Sequence, residues 1–221
     1  EKYPFLNVIG LDRDATIMDK AIHRMTPYKE RVTAVNTWFD EFLLSYEGPA
    51  PSIILFDLGI SVFHYEESTR GFSFSREEPL DMRLNIEKDV SARDIVNTYS
   101  EKDIANIIFT FGEERYGRRI ARAICEAREE NPIEMSNALA SIIYNSVPPQ
   151  YRHQRIHPAT RTFQALRIAV NHQLERIIPS INRAIDLLAP GGYIGVISFH
   201  SLEDRPVKHL FREREKGCIC P

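Results

Sequence analysis

Four apolar residues in succession, Ile53-Ile54-Leu55-Phe56, run straight into the carboxylate of Asp57 just after the breaker Gly48-Pro49-Ala50-Pro51. A run this short and this apolar, bounded by turn residues, is the pattern of a strand buried on both faces, as strands of parallel sheets are. The residues before it repeat the theme. Residues 5–11 (FLNVIGL) form a second buried-strand candidate ending at Asp12, and Asp14 is placed to cap a helix carrying Ile17, Ala21 and Met25 that Pro27 stops. Residues 32–35 are a further strand candidate and 38–46 a helix. Strand, helix, strand, helix, strand at this spacing predicts an α/β fold with a parallel sheet.

The middle of the chain changes period. Residues 91–147 carry only helical patterning, with Ser91 before Asp94 and Ser100 before Asp103 as capping-box starts. Helices are expected over 104–111, 113–130 and 134–146, the last closed by Pro148-Pro149. After a polar loop over 150–161, Phe163, Leu166, Val170, Leu174 and Ile177 fall on one helical face up to Pro179, and residues 193–198 (YIGVIS) read as a strand. The division expected is an α/β domain formed by 1–88 with 159–221, split by an all-α insertion over 89–158.

Composition narrows the class. The 221 residues carry 28 Lys+Arg against 31 Asp+Glu, with 43% hydrophobic and 27% charged, which is a folded globular chain. No apolar run reaches the length of a membrane helix, and Cys125, Cys218 and Cys220 are too few and too unevenly placed for a disulfide framework. A reducing, cytoplasmic setting is expected. No zinc-ligand spacing, phosphate-loop or hydrolase-nucleophile pattern is present, and no metal is expected. Net charge conceals one asymmetry: residues 135–174 hold no acid, yet contain Arg152, Arg155, Arg161 and Arg167 with His153 and His157. Such a stretch is either a solvated basic face or a phosphate-contacting patch.

Open parallel sheets bind ligands beyond the carboxyl ends of their strands, so the strand ends are where chemistry is sought. Asp12 could accept both hydroxyls of a ribose, or serve the helix start. Asp57 arrives at the same kind of edge, followed by Gly59. The last strand runs into Ser198-Phe199-His200-Ser201-Leu202-Glu203-Asp204, where Asp204 is a cap candidate and His200 and Ser201 are the groups capping does not explain. Between them, the loop over 64–83 carries arginines beside Phe72 and Phe74, suited to base stacking or to anchoring the loop.

Read together, Asp12-Arg13-Asp14, Asp57-Leu58-Gly59-Ile60-Ser61, Arg70-Gly71-Phe72-Ser73-Phe74, Pro79-Leu80-Asp81-Met82-Arg83, Phe111-Gly112-Glu113-Glu114-Arg115, the run 157–167 (HPATRTFQALR) and the run 198–205 (SFHSLEDR) resemble the bacterial-type 16S ribosomal RNA (cytosine-N4)-methyltransferases, the MraW/RsmH family. The matches are in order and span nearly the whole chain. The resemblance implies a Rossmann-like S-adenosylmethionine-dependent methyltransferase sheet with an all-α inserted domain, acting on a cytidine in the decoding region of small-subunit rRNA. By the same resemblance S-adenosylmethionine would meet Asp12, Phe39 (with Trp38 as the alternative ring), Asp57 and His64. Asp57 is the first candidate for the acceptor of the target amine, and His200, Ser201 and Asp81 are candidates for holding the base. Arg152, Arg155, His157, Arg161 and Arg167 would contact RNA on the small ribosomal subunit, and a homodimer stays open. The family's Gly-Gly-His cofactor turn would lie upstream of Glu1 and its closing strands beyond Cys220. The competing readings are a nicotinamide dehydrogenase and a non-catalytic rRNA-binding relative. The position of the cysteines favours nitrogen over carbon-5 methylation.

Overall fold

The computed structural model describes residues 3–87 and 90–216. In chain order its elements are β1 (Val8–Asp12), α1 (Ala15–Met25), β2 (Val32–Asn36), α2 (Phe39–Ser45), β3 (Ile53–Asp57), α3 (Val62–Glu66), α4 (Ala92–Thr98) and α5 (Glu101–Gly112). There follow α6 (Gly117–Glu130), α7 (Ser136–Ser146), α8 (Pro149–Arg152), α9 (Ala159–Val170), α10 (Gln173–Leu187), β4 (Tyr193–Ile197) and α11 (Ser201–Glu215). They gather into two compact units, Glu1–Gly59 with Leu174–Pro221, and Ile60–Gln173. The first is α/β with parallel strands; the second is helical.

In the first unit β1 pairs in parallel with β2, Val8 opposite Val32 through Asp12 opposite Asn36. β3 pairs in parallel with β4, Ile53 opposite Tyr193 through Asp57 opposite Ile197. Among the described residues these are two separate two-stranded ladders. Asp14 caps α1 as its position predicts, its Oδ1 accepting from the N–H groups of Thr16 (2.9 Å) and Ile17 (3.4 Å). Phe56 and Leu58 pack with Leu43 of α2, Ile177, Ile181 and Ala184 of α10, and Val207 and Leu210 of α11. Burial of a ring such as Phe56 is worth about 1.5–3 kcal/mol.

The expectation that β3 is buried on both faces is corrected. Phe56 and Ile54 face the core, but Leu55 is 64% exposed, with Ile53, Tyr193 and Ile197 exposed as well. Helices of the described chain cover one side of the β3–β4 pair, so the apolar run alternates in burial despite its uniform composition.

The second unit is built on α5, α6, α7 and α9, with Ile104, Ile108, Ile120, Ile124, Leu139, Ile143 and Leu166 wholly buried. Ser91 and Asp94 form the expected capping box, each bonding the other's backbone N–H, and the Ser91 hydroxyl and then its N–H, both donating to the Asp94 carboxylate, hold that carboxyl below the usual range. Ser100 caps α5 with its side chain alone, Oγ accepting from Asp103 N–H at 3.1 Å. At Gly112 a Cβ would stand 2.6 Å from the Arg161 carbonyl oxygen, so glycine is what lets α5 and α9 meet. Glu113 then takes a left-handed conformation (φ 48°) that closes α5, which is why the helix expected from 113 starts at Gly117.

Two features of this unit depart from the sequence expectation. Residues 60–87 belong with the helices and not with the strands: Phe72, Leu80 and Met82 are buried in the helical core. Asn171 ties the segment down, donating to the Met82 carbonyl (2.8 Å) and accepting from Leu84 N–H (2.8 Å). The expected boundary at 88/89 itself falls outside the described residues. The one-faced stripe from Phe163 to Ile177 is also two helices. The break comes at Asn171 and His172 (φ 48°), not at Pro179, which lies inside α10. Pro179 is exposed, and the carbonyl deprived of its donor belongs to exposed Glu175, where water can replace it. Phe163 and Leu166 therefore serve the helical core, and Ile177 serves the strand-bearing unit.

Candidate active-site edge

Within the first unit β1, β2 and β4 each run by a short turn into a helix, α1, α2 and α11. On the β1–β2 side, Asp12 Oδ1 accepts from Asp14 N–H at 2.7 Å. Asn36, its register partner, donates to the carbonyls of Asp12 and Arg13 (both 3.0 Å) and accepts from Arg13 Nη1 (3.1 Å). Asp12 is thus held by the turn into α1, and Asn36 fixes that turn from the neighbouring strand. Phe39 opens α2, and its ring meets Phe56 edge-on at 5.7 Å, half-buried against the core. Trp38, the alternative ring, is buried beneath a cation: Arg176 Cζ lies 4.4 Å from its centroid while Arg176 Nη1 bonds both oxygens of Asp40 (2.8 and 2.6 Å). Arg176 carries no local signal in the sequence, because its ion-pair partner Asp40 lies 136 residues away.

On the β3–β4 side Asp57 is exposed at the end of its strand. The chain turns immediately, Leu58 N–H bonding the Ile197 carbonyl (3.0 Å) and Gly59 taking φ 98°, a conformation open to glycine at little cost. A Cβ on Gly59 would stand 3.2 Å from Phe199 Cδ2, so the Phe199 ring, 70% exposed, lies against that turn. His200 is the N-cap residue of α11 and Ser201 its first residue. Glu203, buried to 1% exposure, accepts from Phe199 N–H through Oε2 (3.2 Å), and its Oε1 lies 3.1 Å from His200 Nε2. Asp204, the expected cap, instead sits within 3.5 Å of Ser198 Oγ and pairs with Lys208 (2.8 Å). Glu203 went unnoticed, although an acid three residues into a helix is the signature of a carboxylate that turns back onto the helix start. Asp57, Phe199, His200 and Ser201 are thereby brought to one strand-pair edge.

The remaining candidates lie in the helical unit and are largely employed there. His64, buried, is the third residue of α3 and completes a capping box: its Nδ1 takes the Ser61 N–H at 3.1 Å, and its ring meets Phe72 edge-on at 5.1 Å. Asp81 grips Arg83 with both oxygens (Nε to Oδ1 and Nη2 to Oδ2, both 2.8 Å). Arg152 donates to the carbonyls of Val147 (3.1 Å) and Asn145 (2.8 Å) at the end of α7, and Arg161 to the carbonyl of Glu113 (3.2 Å). Arg167 is buried. Arg155 is exposed in the connection before α9. His157 stacks on Phe74 (4.7 Å) and faces Tyr144 (5.9 Å), with Nδ1 accepting from Ala159 N–H (3.2 Å); burial lowers its pKa. Phe72 is buried and Phe74 packs on Phe163, so the two rings of the loop serve as anchors, whereas Phe199 at the end of β4 is exposed. Cys125 lies on α6, its thiol pushed up chiefly by burial. Cys218 and Cys220 lie outside the described residues. Among the described residues no cluster of metal-ligating side chains occurs, and no helix is long and apolar enough to cross a membrane.

A family model, that of the MraW methylase family, matches residues 1–221. The chain belongs to the MraW methylase family. Similar proteins include the ribosomal RNA small subunit methyltransferase H of Treponema denticola, 53% identical over 223 residues, covering 100% of this chain and 71% of the relative. The proteins of that name from Persephonella marina (48% identical, 95% of this chain, 72% of the relative) and Borreliella afzelii (45%, 96% and 72%) are also similar. In this MraW-family chain the β3–β4 edge concentrates the exposed carboxylate, the exposed ring and the histidine, and the β1–β2 edge supplies a second, turn-held carboxylate.

Proposed function

We propose that the chain methylates the exocyclic N4 amine of a cytidine in the decoding region of 16S rRNA, using S-adenosylmethionine on a Rossmann-like sheet. The carrying observation is the exposed Asp57 carboxylate at the end of β3, with the Phe199 ring against the turn that follows it. Membership of the family and the names of the relatives support rRNA as the substrate class.

When bound, S-adenosylmethionine supplies an electrophilic methyl group on a sulfonium sulfur. Strand-end carboxylates suit a ligand carrying ribose hydroxyls and a cationic centre, and Asp12, Phe39 and Asp57 are the residues of the strand-bearing unit that would hold it. The amine of cytosine is a poor nucleophile because its lone pair is delocalised into the ring. Rate must come from placing the nitrogen in line and from an acceptor that binds the amine N–H as positive charge develops. Asp57 fills that role, Phe199 stacks the base, and His200 with Ser201 borders the base beyond it. Carbon-5 methylation would need a reactive thiolate, and the Cys125 thiol is pushed up by burial, away from the thiolate form. Arg155, with the outward parts of Arg152, His157 and Arg161, contacts rRNA phosphates.

The test is transfer of labelled methyl from S-adenosylmethionine to undermethylated small ribosomal subunits. Asp57→Ala should lower turnover by about 10²–10³-fold. Arg155→Glu should leave turnover at saturation intact while weakening subunit binding and flattening its salt dependence. Equal labelling by wild type and Asp57→Ala overturns the reading, and binding without any labelling by wild type points to a non-catalytic rRNA-binding protein.

A further inference from the structure

We propose that Glu203 is the positioning residue of this edge: its buried carboxylate fixes Phe199 and His200 beside Asp57, and so sets how fast a correctly bound base reacts. The inference rests on the methyl-transfer reading above and adds to it a residue that touches neither base nor cofactor.

The turn 198–200 joins β4 to α11, and a short connection from strand to helix has many conformations open to it. Glu203 removes that freedom from one side. Oε2 takes the N–H of Phe199, which fixes where the ring-bearing residue leaves the strand, and Oε1 lies 3.1 Å from His200 Nε2. At 1% exposure the carboxylate is shut off from bulk water, so contacts inside the fold hold it in place. The contact with Glu203 is a close approach without the alignment of a hydrogen bond, and both ring nitrogens of His200 are buried with no hydrogen-bond partner among the described residues. A buried polar atom left without a partner costs stability and is a mark of a functional position, because a ligand can supply what the fold does not. On the other side of the turn Gly59 makes room for the Phe199 ring. Ring and imidazole are thus set from two directions, by a buried acid and by the absence of a side chain. A displacement of about 1 Å at such a site is enough to cost about 10²-fold in rate.

Glu203→Ala should reduce single-turnover methyl transfer by about tenfold to a hundredfold while leaving the KM for small subunits within about twofold, since the arginines that bind RNA lie elsewhere. Glu203→Gln keeps an acceptor for the Phe199 N–H and keeps the shape of the side chain, so it should recover most of the rate and guards against a variant that merely fails to fold. The deciding measurement is non-additivity. In a Phe199→Ala/His200→Ala background, where there is nothing left to position, Glu203→Ala should cost less than about twofold more. A full additional loss in that background overturns the inference, as does equal loss in the Gln and Ala variants. If Phe199→Ala alone leaves turnover unchanged, the failure lies in the reading of Phe199 as the stacking ring, which is a separate result from additivity at Glu203.

Discussion

Replacing Tyr151 by Phe removes a single oxygen and should be among the costlier changes in the helical unit. The hydroxyl donates to Glu114 Oε2 at 2.5 Å, and Glu114 is fully buried with its other oxygen taking the Tyr116 N–H at 2.9 Å. The ring stays, so the apolar packing against Tyr116 (4.9 Å) is nearly unchanged and the loss is electrostatic. A buried acceptor deprived of its donor costs about 1–3 kcal/mol, and a carboxylate belongs at the upper end. At roughly 2–4 °C per kcal/mol for a chain of this size, about 3 kcal/mol lowers the melting temperature by roughly 6–12 °C. The control is Tyr193→Phe, at an exposed ring, expected within about 0.5 kcal/mol of wild type. There is also a pH signature. Burial, together with the bond to Glu114, pushes the Tyr151 hydroxyl up to about 12 from the ordinary 10. The unfolded chain therefore loses this proton first, and the contribution is intact below pH 10 and lost as pH rises from 10 to 12. Tyr151→Phe should lack that alkaline decline. A denaturation midpoint for Tyr151→Phe equal to that of Tyr193→Phe, with the decline unaltered, refutes the reasoning.

Other positions give sharp expectations. Burial holds His157 below the usual histidine value of 6.5, so its contribution is present above that pH and is lost as pH falls through the folded value; His157→Asn, which can still accept the Ala159 N–H, should show a smaller fall in denaturation midpoint between pH 7.5 and 5. Gly59→Ala forces a side chain into a φ of 98° and presses it on Phe199, costing about 1–3 kcal/mol and slowing methyl transfer more than it weakens subunit binding. A Gly59→Ala protein with wild-type turnover would count against the placement of Phe199 at the active edge.

Local signals in the sequence translated well. Asp14, Ser91 and Ser100 cap the helices their spacing suggests, because an N-cap depends only on the next three residues. Asp57 and His200 were found as strand-end groups for the same reason: position after an apolar run is a short-range property. What could not be read was the assignment of residues to cores. The stripe Phe163 to Ile177 has one period, yet its halves serve different units, since the break is made by Asn171 bonding a segment nearly ninety residues earlier. The arginines of the acid-free stretch show the same limit. Composition marked them as one patch, whereas Arg152 and Arg161 spend part of their bonding on carbonyls at helix ends and Arg167 is buried. His64 and Asp81 likewise have local duties, a helix cap and an arginine clamp, that motif resemblance alone does not disclose.

The segment from Arg70 to Leu84 has almost no regular structure and yet almost no slack. Met82 N–H reaches the Arg70 carbonyl, Arg70 Nη1 the Arg83 carbonyl, Leu80 N–H the Glu134 carbonyl, and Gly71 N–H the Glu78 carboxylate. Irregular surface connections are where proteins ordinarily accept added or deleted residues in the course of divergence. Here each bond fixes the number of residues between its ends, so a single insertion would detach Phe72, Leu80 or Met82 from the core as surely as a frameshift in a helical stripe. The stretch is therefore expected to tolerate a change of side chain at an exposed position better than a change in its length.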